Sequence, residues 1–269
     1  MAAAGVQISQ TPFFRTARRD LWWAQWLAYF AGLGFFLAVY PLWAVLQGNN
    51  YRFGNYTSPF YSPELFGSAK AWLGVGRPSF WPALLPFSPA LLIIWAPAGF
   101  RLTCYYFRGA YYKAFFFDPP GCTVGEPRHS YWGENFWPLL VHNAHRYFMY
   151  LAVVLLIPHA YDVWEAMWFT DPATGREVFG IGLGTIALAV DVTLLWGYVM
   201  GCHSLRSAVG GNLNWFSKAP LRAKCWACTS VFNGQHRNFA LTSLVWISFC
   251  DFYVRMLAMG VIHDFRVLL

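Results

Sequence analysis

From Trp22 to Leu46 the chain runs without one charged side chain. At 1.5 Å per residue such a run reaches across about 30 Å of hydrocarbon, where only a helix or a closed barrel satisfies its own backbone. Comparable runs recur over 84–107, 136–161, 179–202 and 238–261, each flanked by charges or by Gly and Pro. Composition agrees, because only 12% of the 269 residues are charged, about half the share of a soluble domain. The fold class predicted is an all-α membrane protein: an arm over 1–21, then a bundle of five transmembrane helices over 22–269. The run PALLPFSPALLIIWAPAGF carries Pro86, Pro89 and Pro97, so its helix is expected to bend.

Lys and Arg set the orientation. The arm, the loop 101–134 and the loop 203–237 hold twelve of them, against five on the other side, so the first set is expected to be cytoplasmic, with the amino terminus inside. The arm carries Arg15, Arg18 and Arg19 and lacks the short apolar stretch of a secretory signal. Topology thus accounts for the net charge of +7, and no nucleic-acid motif accompanies it. Trp22, Trp23, Trp26, Trp132, Trp137, Trp164 and Trp168 fall near predicted helix ends, as an interfacial belt requires.

With that orientation the metal-ligating residue types gather on one side: Cys104, Cys122, His142, His145, Cys202, His203, Cys225, Cys228 and His236. The other half holds only His159 and His263, with Cys250 deep in the last helix. Any one Cys in a membrane helix is more often a small packing residue than a ligand, but clustering changes that balance. His142 and His145 share a face, and His145 lies deeper. Cys225 and Cys228 form a lone CWAC, short of the two tight ligand pairs of a structural zinc site. Two thiolates with two imidazoles would suit a Rieske-type [2Fe-2S] cluster. A haem b would need paired histidines, such as His145 with His203 or His236. Adjacent helical residues point about 100° apart, so Cys202 and His203 reach one group together only if the helix ends there; Ser204, Gly210 and Gly211 permit that.

Charged residues inside spans default to function. Asp191, mid-helix, is a candidate for a proton or quinone role, Asp251 and Arg255 can pair four apart, and His159 with Asp162 could relay protons near the outer end or simply hydrogen-bond each other. Tyr105, Arg108, Arg146 and Tyr147 near the Cys/His side offer donors and aromatic walls for a quinone.

The segments FRLTCYYFRGAYYKAFF, PPGCTVGEP, HNAHRYFMYLAVV, GCHSLRSAVGGNLNWFSK and NGQHRNFA, in this order, resemble the cytochrome b-like, SdhC-type membrane anchor of mycobacterial-type succinate dehydrogenases. The resemblance runs from about residue 55 to the carboxyl terminus. It implies a five-helix anchor in the bacterial cell membrane, holding a flavoprotein subunit and an iron-sulfur subunit, with a further small membrane subunit as a possible partner. Electrons from succinate would pass to menaquinone or another quinone, linking the tricarboxylic acid cycle to the respiratory chain, and the anchor itself would bind no dicarboxylate. It also implies a membrane-embedded Rieske-type cluster rather than haem, with Cys104, Cys122, His145, Cys202, His203 and His236 as candidates for four ligand positions. Where the family pattern reads CHSCRH, this chain reads CHSLRS from Cys202, so the second Cys and His cannot be required ligands. A haem b anchor and a cofactor-free membrane scaffold are the competing readings.

Overall fold

The computed structural model describes residues 22–84, 86–115, 137, 139–171, 174–211 and 214–268. Among these, four helical segments are long and apolar enough to cross a membrane: Leu27–Gln47, Leu140–Glu165, Leu183–Met200 and His236–Ala258. Their surfaces invert the soluble pattern. Leu42, Val154 and Ile157 are more than half exposed, whereas Asp191, Ser243, Asp251 and Arg255 are buried. In hydrocarbon, apolar side chains face out and polar groups must find one another.

The first span joins α1 (Trp22–Leu33), a π-helical turn (Gly34–Val39) and α2 (Tyr40–Gln47). Gly48 ends it at φ +62°, and a Cβ there would lie 2.8 Å from the Phe87 carbonyl oxygen, so only glycine fits. The chain then makes two small strand pairs, β1 (Arg52–Phe53) antiparallel to β2 (Tyr56–Thr57) and β3 (Phe66–Gly67) parallel to β4 (Gly74–Val75).

The second expected span, over 84–107, is not one helix. A 3-10 turn (Pro89–Leu92) leads into α3 (Trp95–Thr103), which stops at Cys104 before α4 (Tyr105–Phe115) begins. Pro86 and Pro89 cannot donate to an earlier helix, while Pro97 falls in the first turn of α3, where the N–H is spare. At 9 and 11 residues neither piece is long enough to span alone.

After a 3-10 turn (Leu139–Ala144), α5 (His145–Glu165) crosses the bundle. The span expected to begin at 179 begins at 183. Residues ahead of it form β6 (Glu177–Gly182), which pairs antiparallel with both β5 (Trp168–Thr170) and β7 (Arg266–Leu268). Then comes α6 (Leu183–Met200), and the expected loop 203–237 folds into α7 (His203–Gly210) and α8 (Pro220–Gly234) before α9 (His236–Ala258).

Helices α6 and α9 make the most extensive contact in the bundle. A Cβ on Gly197 would lie 2.4 Å from the Phe239 ring, so the absent side chain lets the helices close. Near the β-strand end of α9, Asp251 and Arg255 pair at 2.7 Å. Tyr40 Oη donates to Asp251 at 2.7 Å, Ser58 Oγ donates to its other oxygen, and Arg255 also donates to Ala44 O and Asn49 O at 2.7 and 2.9 Å. This ties α9 to the first span and to the residues after it.

Candidate metal centre and adjoining cavity

Cys104 and Cys202 break their helices in the same way. Their φ/ψ angles are −65°/133° and −62°/132°, extended values set between helical neighbours. Each N–H reaches back three residues, Cys104 to Arg101 O at 3.2 Å and Cys202 to Val199 O at 3.0 Å. Each carbonyl accepts from four residues ahead, from Arg108 N at 2.8 Å and Arg206 N at 2.9 Å. Each cysteine therefore closes one helix and opens the next. The two segments share a Cys-x-x-x-Arg-x-Ala pattern, Cys104 to Ala110 and Cys202 to Ala208.

Both thiols are buried, and each faces an imidazole. Cys104 Sγ lies 3.7 Å from His236 Nε2, and Cys202 Sγ lies 3.2 Å from His145 Nε2. Thr103 sets the tautomer of His145. Its hydroxyl donates to Gly99 O at 2.7 Å, so toward His145 Nδ1, 2.9 Å away, it accepts. The proton then sits on Nδ1 and leaves the Nε2 lone pair for the centre. Phe100 stacks on His145 with centroids 4.7 Å apart, and Tyr198 stacks on His236 at 4.9 Å. His236 Nδ1 is buried and makes no hydrogen bond of regular geometry.

His203 does not follow its neighbour inward. It is exposed, stacks on Tyr106 at 5.8 Å, and stands 6.2 Å from the His236 ring. The break at Cys202 thus turns the thiol in and the imidazole out. Burial pushes the Cys202 thiol up, and partial burial followed by the Arg206 charge holds the His203 ring below its ordinary pKa. Cys122 lies outside the described residues. Cys225 and Cys228 are exposed on α8. Among the described residues no three His, Cys, Asp or Glu side chains converge as a single metal ion requires.

The four residues expected around a quinone are not gathered. Tyr105, Arg146 and Tyr147 are exposed, and the Arg108 guanidinium lies over the Tyr105 ring at 4.6 Å. Of the four, Tyr105 alone lines a space of about 190 Å³ shared with Tyr29, Tyr106 and Arg237. Asp191 is buried with neither carboxylate oxygen bonded, in the field of Arg101. His159 and Asp162 share a face of α5 but open on different spaces.

His159 lines a largely aliphatic cavity of about 240 Å³ between α5, the first span and α3. Phe100, Arg101 and Tyr198 bound it on the metal-centre side, and Ser62 with His159 bounds it on the other. Arg101 is buried, donates to Ala240 O and Ser243 Oγ at 3.0 Å each, and lies over the Tyr198 ring at 5.0 Å. The hydroxyls of Tyr198 and Ser62 are both buried and make no hydrogen bond of regular geometry, although Tyr198 faces Cys104 and Ser62 faces the Asp162 carboxyl. Thr103, Phe100, Tyr198 and Ser62 were not marked by sequence patterning. The repeated Cys-x-x-x-Arg-x-Ala would have pointed to Cys104 and Cys202 and to their neighbours.

Over residues 24–260 the sequence matches the family described as actinobacterial succinate dehydrogenase subunit SdhC. Among solved structures, a chain of the Mycobacterium smegmatis Sdh1 complex in the apo form superposes with a TM-score of 0.78 at 36% identity, covering 98% of this chain and 96% of that one. Comparison with curated proteins finds no match.

Proposed function

The chain belongs to the family of actinobacterial succinate dehydrogenase subunit SdhC, and from that premise we propose that it carries electrons from succinate oxidation to a membrane quinone by holding a Rieske-type [2Fe-2S] cluster. Membership makes it a membrane-anchor component of a succinate dehydrogenase complex. The finer reading has the flavoprotein and iron-sulfur subunits docked at the Cys/His end, in the cell membrane. The excess of Lys and Arg on that side supports placing it in the cytoplasm.

The observation that carries the reading is the pair of Cys–His approaches, Cys104 to His236 at 3.7 Å and Cys202 to His145 at 3.2 Å. Such a cluster takes both thiolates on one iron and both imidazoles on the other, so the four residues are complete in number and need to surround one centre rather than meet at one point. In this reading Cys104 and Cys202 bind as thiolates, His145 and His236 bind through Nε2, and His203 remains at the surface. A bound cluster supplies one-electron transfer at a potential above that of an all-Cys cluster. Thr103 fixes the His145 ring, and burial among Phe100, Phe107 and Tyr198 keeps water from the sulfurs. Phe100 and Tyr198, stacked on the two imidazole faces, hold the rings in orientation.

The aliphatic cavity next to Phe100 and Tyr198 suits a quinone ring and its isoprenoid tail. Tyr198 and Ser62 bring one hydroxyl to each end of the cavity, and either can serve a quinone carbonyl oxygen.

Iron and acid-labile sulfide analysis with EPR on the purified complex tests the cluster. Cys202→Ser and His236→Ala are each expected to remove a Rieske-type signal and succinate:quinone activity, while succinate:dye activity persists. Retention of the signal in either variant would remove that residue from the ligand set. A strong reduced α band without labile sulfide would establish the haem reading instead.

A further inference from the structure

We infer that the protons for quinone reduction enter from the face of the membrane opposite the metal centre, through Asp162, Ser62 and His159. This rests on placing the quinone in the aliphatic cavity. α5 runs from His145 at the metal centre to Glu165, roughly 30 Å along its axis. Asp162 lies in its last turn, half-buried, and lines a polar pocket of about 330 Å³ with Arg52, Thr57, Glu64, Lys70 and Glu165.

Between this pocket and the cavity stands one hydroxyl. Ser62 Oγ is within reach of the Asp162 carboxyl, lines the aliphatic cavity, and is buried without a hydrogen bond of regular geometry. A hydroxyl with a carboxyl on one side and the cavity on the other can accept from the one while it donates into the other. His159, one helical turn before Asp162, lines the cavity beside Ser62. Its Nδ1 faces Leu155 O at 2.7 Å, and the ring also faces the Pro59 carbonyl. The Nδ1–H donated to Leu155 O leaves the other ring nitrogen of the neutral imidazole as the group that can exchange a proton with the cavity. The charges acting on Asp162 are Glu165 from its own helix and Arg52 and Glu64 from the segment after the first span. His159 faces backbone carbonyls.

One quinone takes up two electrons, supplied by the succinate-oxidising subunits, and two protons, one on each carbonyl oxygen, giving one quinol. The protons leave the water at Asp162, which recharges from that water after each transfer. Electrons then enter from one face and protons from the other, so turnover carries charge across the membrane.

The complex, reconstituted in liposomes with its soluble subunits outward and pyranine in the lumen, tests this with succinate and a short-chain lipophilic quinone. Wild type is expected to make the lumen alkaline by two protons per quinol. Asp162→Asn should slow both quinol formation and alkalinisation at least about ten-fold, while Asp162→Glu restores them. Dye-coupled succinate oxidation reports intact assembly in each case. Normal quinol formation without lumen alkalinisation, or an Asp162→Asn variant as fast as wild type, would overturn the route and leave the quinone reading standing. If Leu156→Trp, which fills the cavity, left quinol formation intact, the placement of the quinone would fall and the route with it.

Discussion

Asp251 and His236 sit on the same helix, fifteen residues apart, in contrasting surroundings. Around Asp251 the accounting is complete: Tyr40, Ser58 and Arg255 all donate to its two oxygens, and Arg255 spends its other donors on Ala44 O and Asn49 O. Around His236 it is open. His236 Nδ1, the Tyr198 hydroxyl and both Asp191 oxygens are buried and make no hydrogen bond of regular geometry. A closed network in low dielectric rigidifies, whereas an open one costs stability unless something else completes it. One end of the bundle therefore holds the helices together, and the other leaves polar groups that the proposed cluster and quinone would engage.

That contrast can be broken by substitution. Asp251→Leu strands a buried guanidinium and should cost about 3–5 kcal/mol, read as a fall in the thermal midpoint of the purified complex, while Asp251→Leu with Arg255→Met should recover most of it. Next in size, Tyr40→Phe removes a hydroxyl that donates to a carboxylate and should cost about 1.5–3 kcal/mol. Tyr198→Phe removes a hydroxyl that makes no regular hydrogen bond and should leave the midpoint within about 0.5 kcal/mol while raising the KM for quinone. Equal losses in the two tyrosine variants would erase the distinction between the ends. Thr103→Val should leave the fold intact yet weaken metal retention by about 10–100-fold, since His145 loses the group that fixes its tautomer. The smallest effect concerns pH. Burial raises the Cys202 thiol, and ligation requires the thiolate, so iron uptake by stripped protein should speed up as pH rises and slow as it falls; a flat profile would show that Cys202 is not a ligand.

Most of the spans were legible because a membrane helix must be apolar on its outward face, and hydropathy reads that directly. The segment 84–107 was not, because hydropathy does not register a chain that ends one helix and starts another at Cys104. The gathering of cysteines and histidines at one end of the bundle followed from the alternation of the spans, but which of them face inward followed from backbone angles. Cys202 and His203 are equal in the sequence and opposite in the fold. Thr103 and Tyr198 stayed hidden because a hydroxyl inside an apolar run looks the same whether it packs, bonds a neighbour or waits for a ligand. Ser62 was hidden for a different reason: its importance comes from a partner a hundred residues away on α5, which no local pattern encodes. The Asp251–Arg255 pair was visible from its spacing, although Tyr40 and Ser58, which complete it, were not.

The helix breaks at Cys104 and Cys202 have an electrostatic consequence. Each sulfur stands at the amino-terminal end of a new helix, α4 and α7, where backbone N–H groups carry partial positive charge. The N–H groups of Ser204 and Leu205 face the Cys202 sulfur and favour its anionic form. Were the proposed cluster bound there, two such ends directed at it would stabilise whichever oxidation state is more negative, which is the reduced one. The folding of the chain at two cysteines would thereby shift the reduction potential of the centre upward, so that an electron arriving from the soluble subunits finds it a better acceptor.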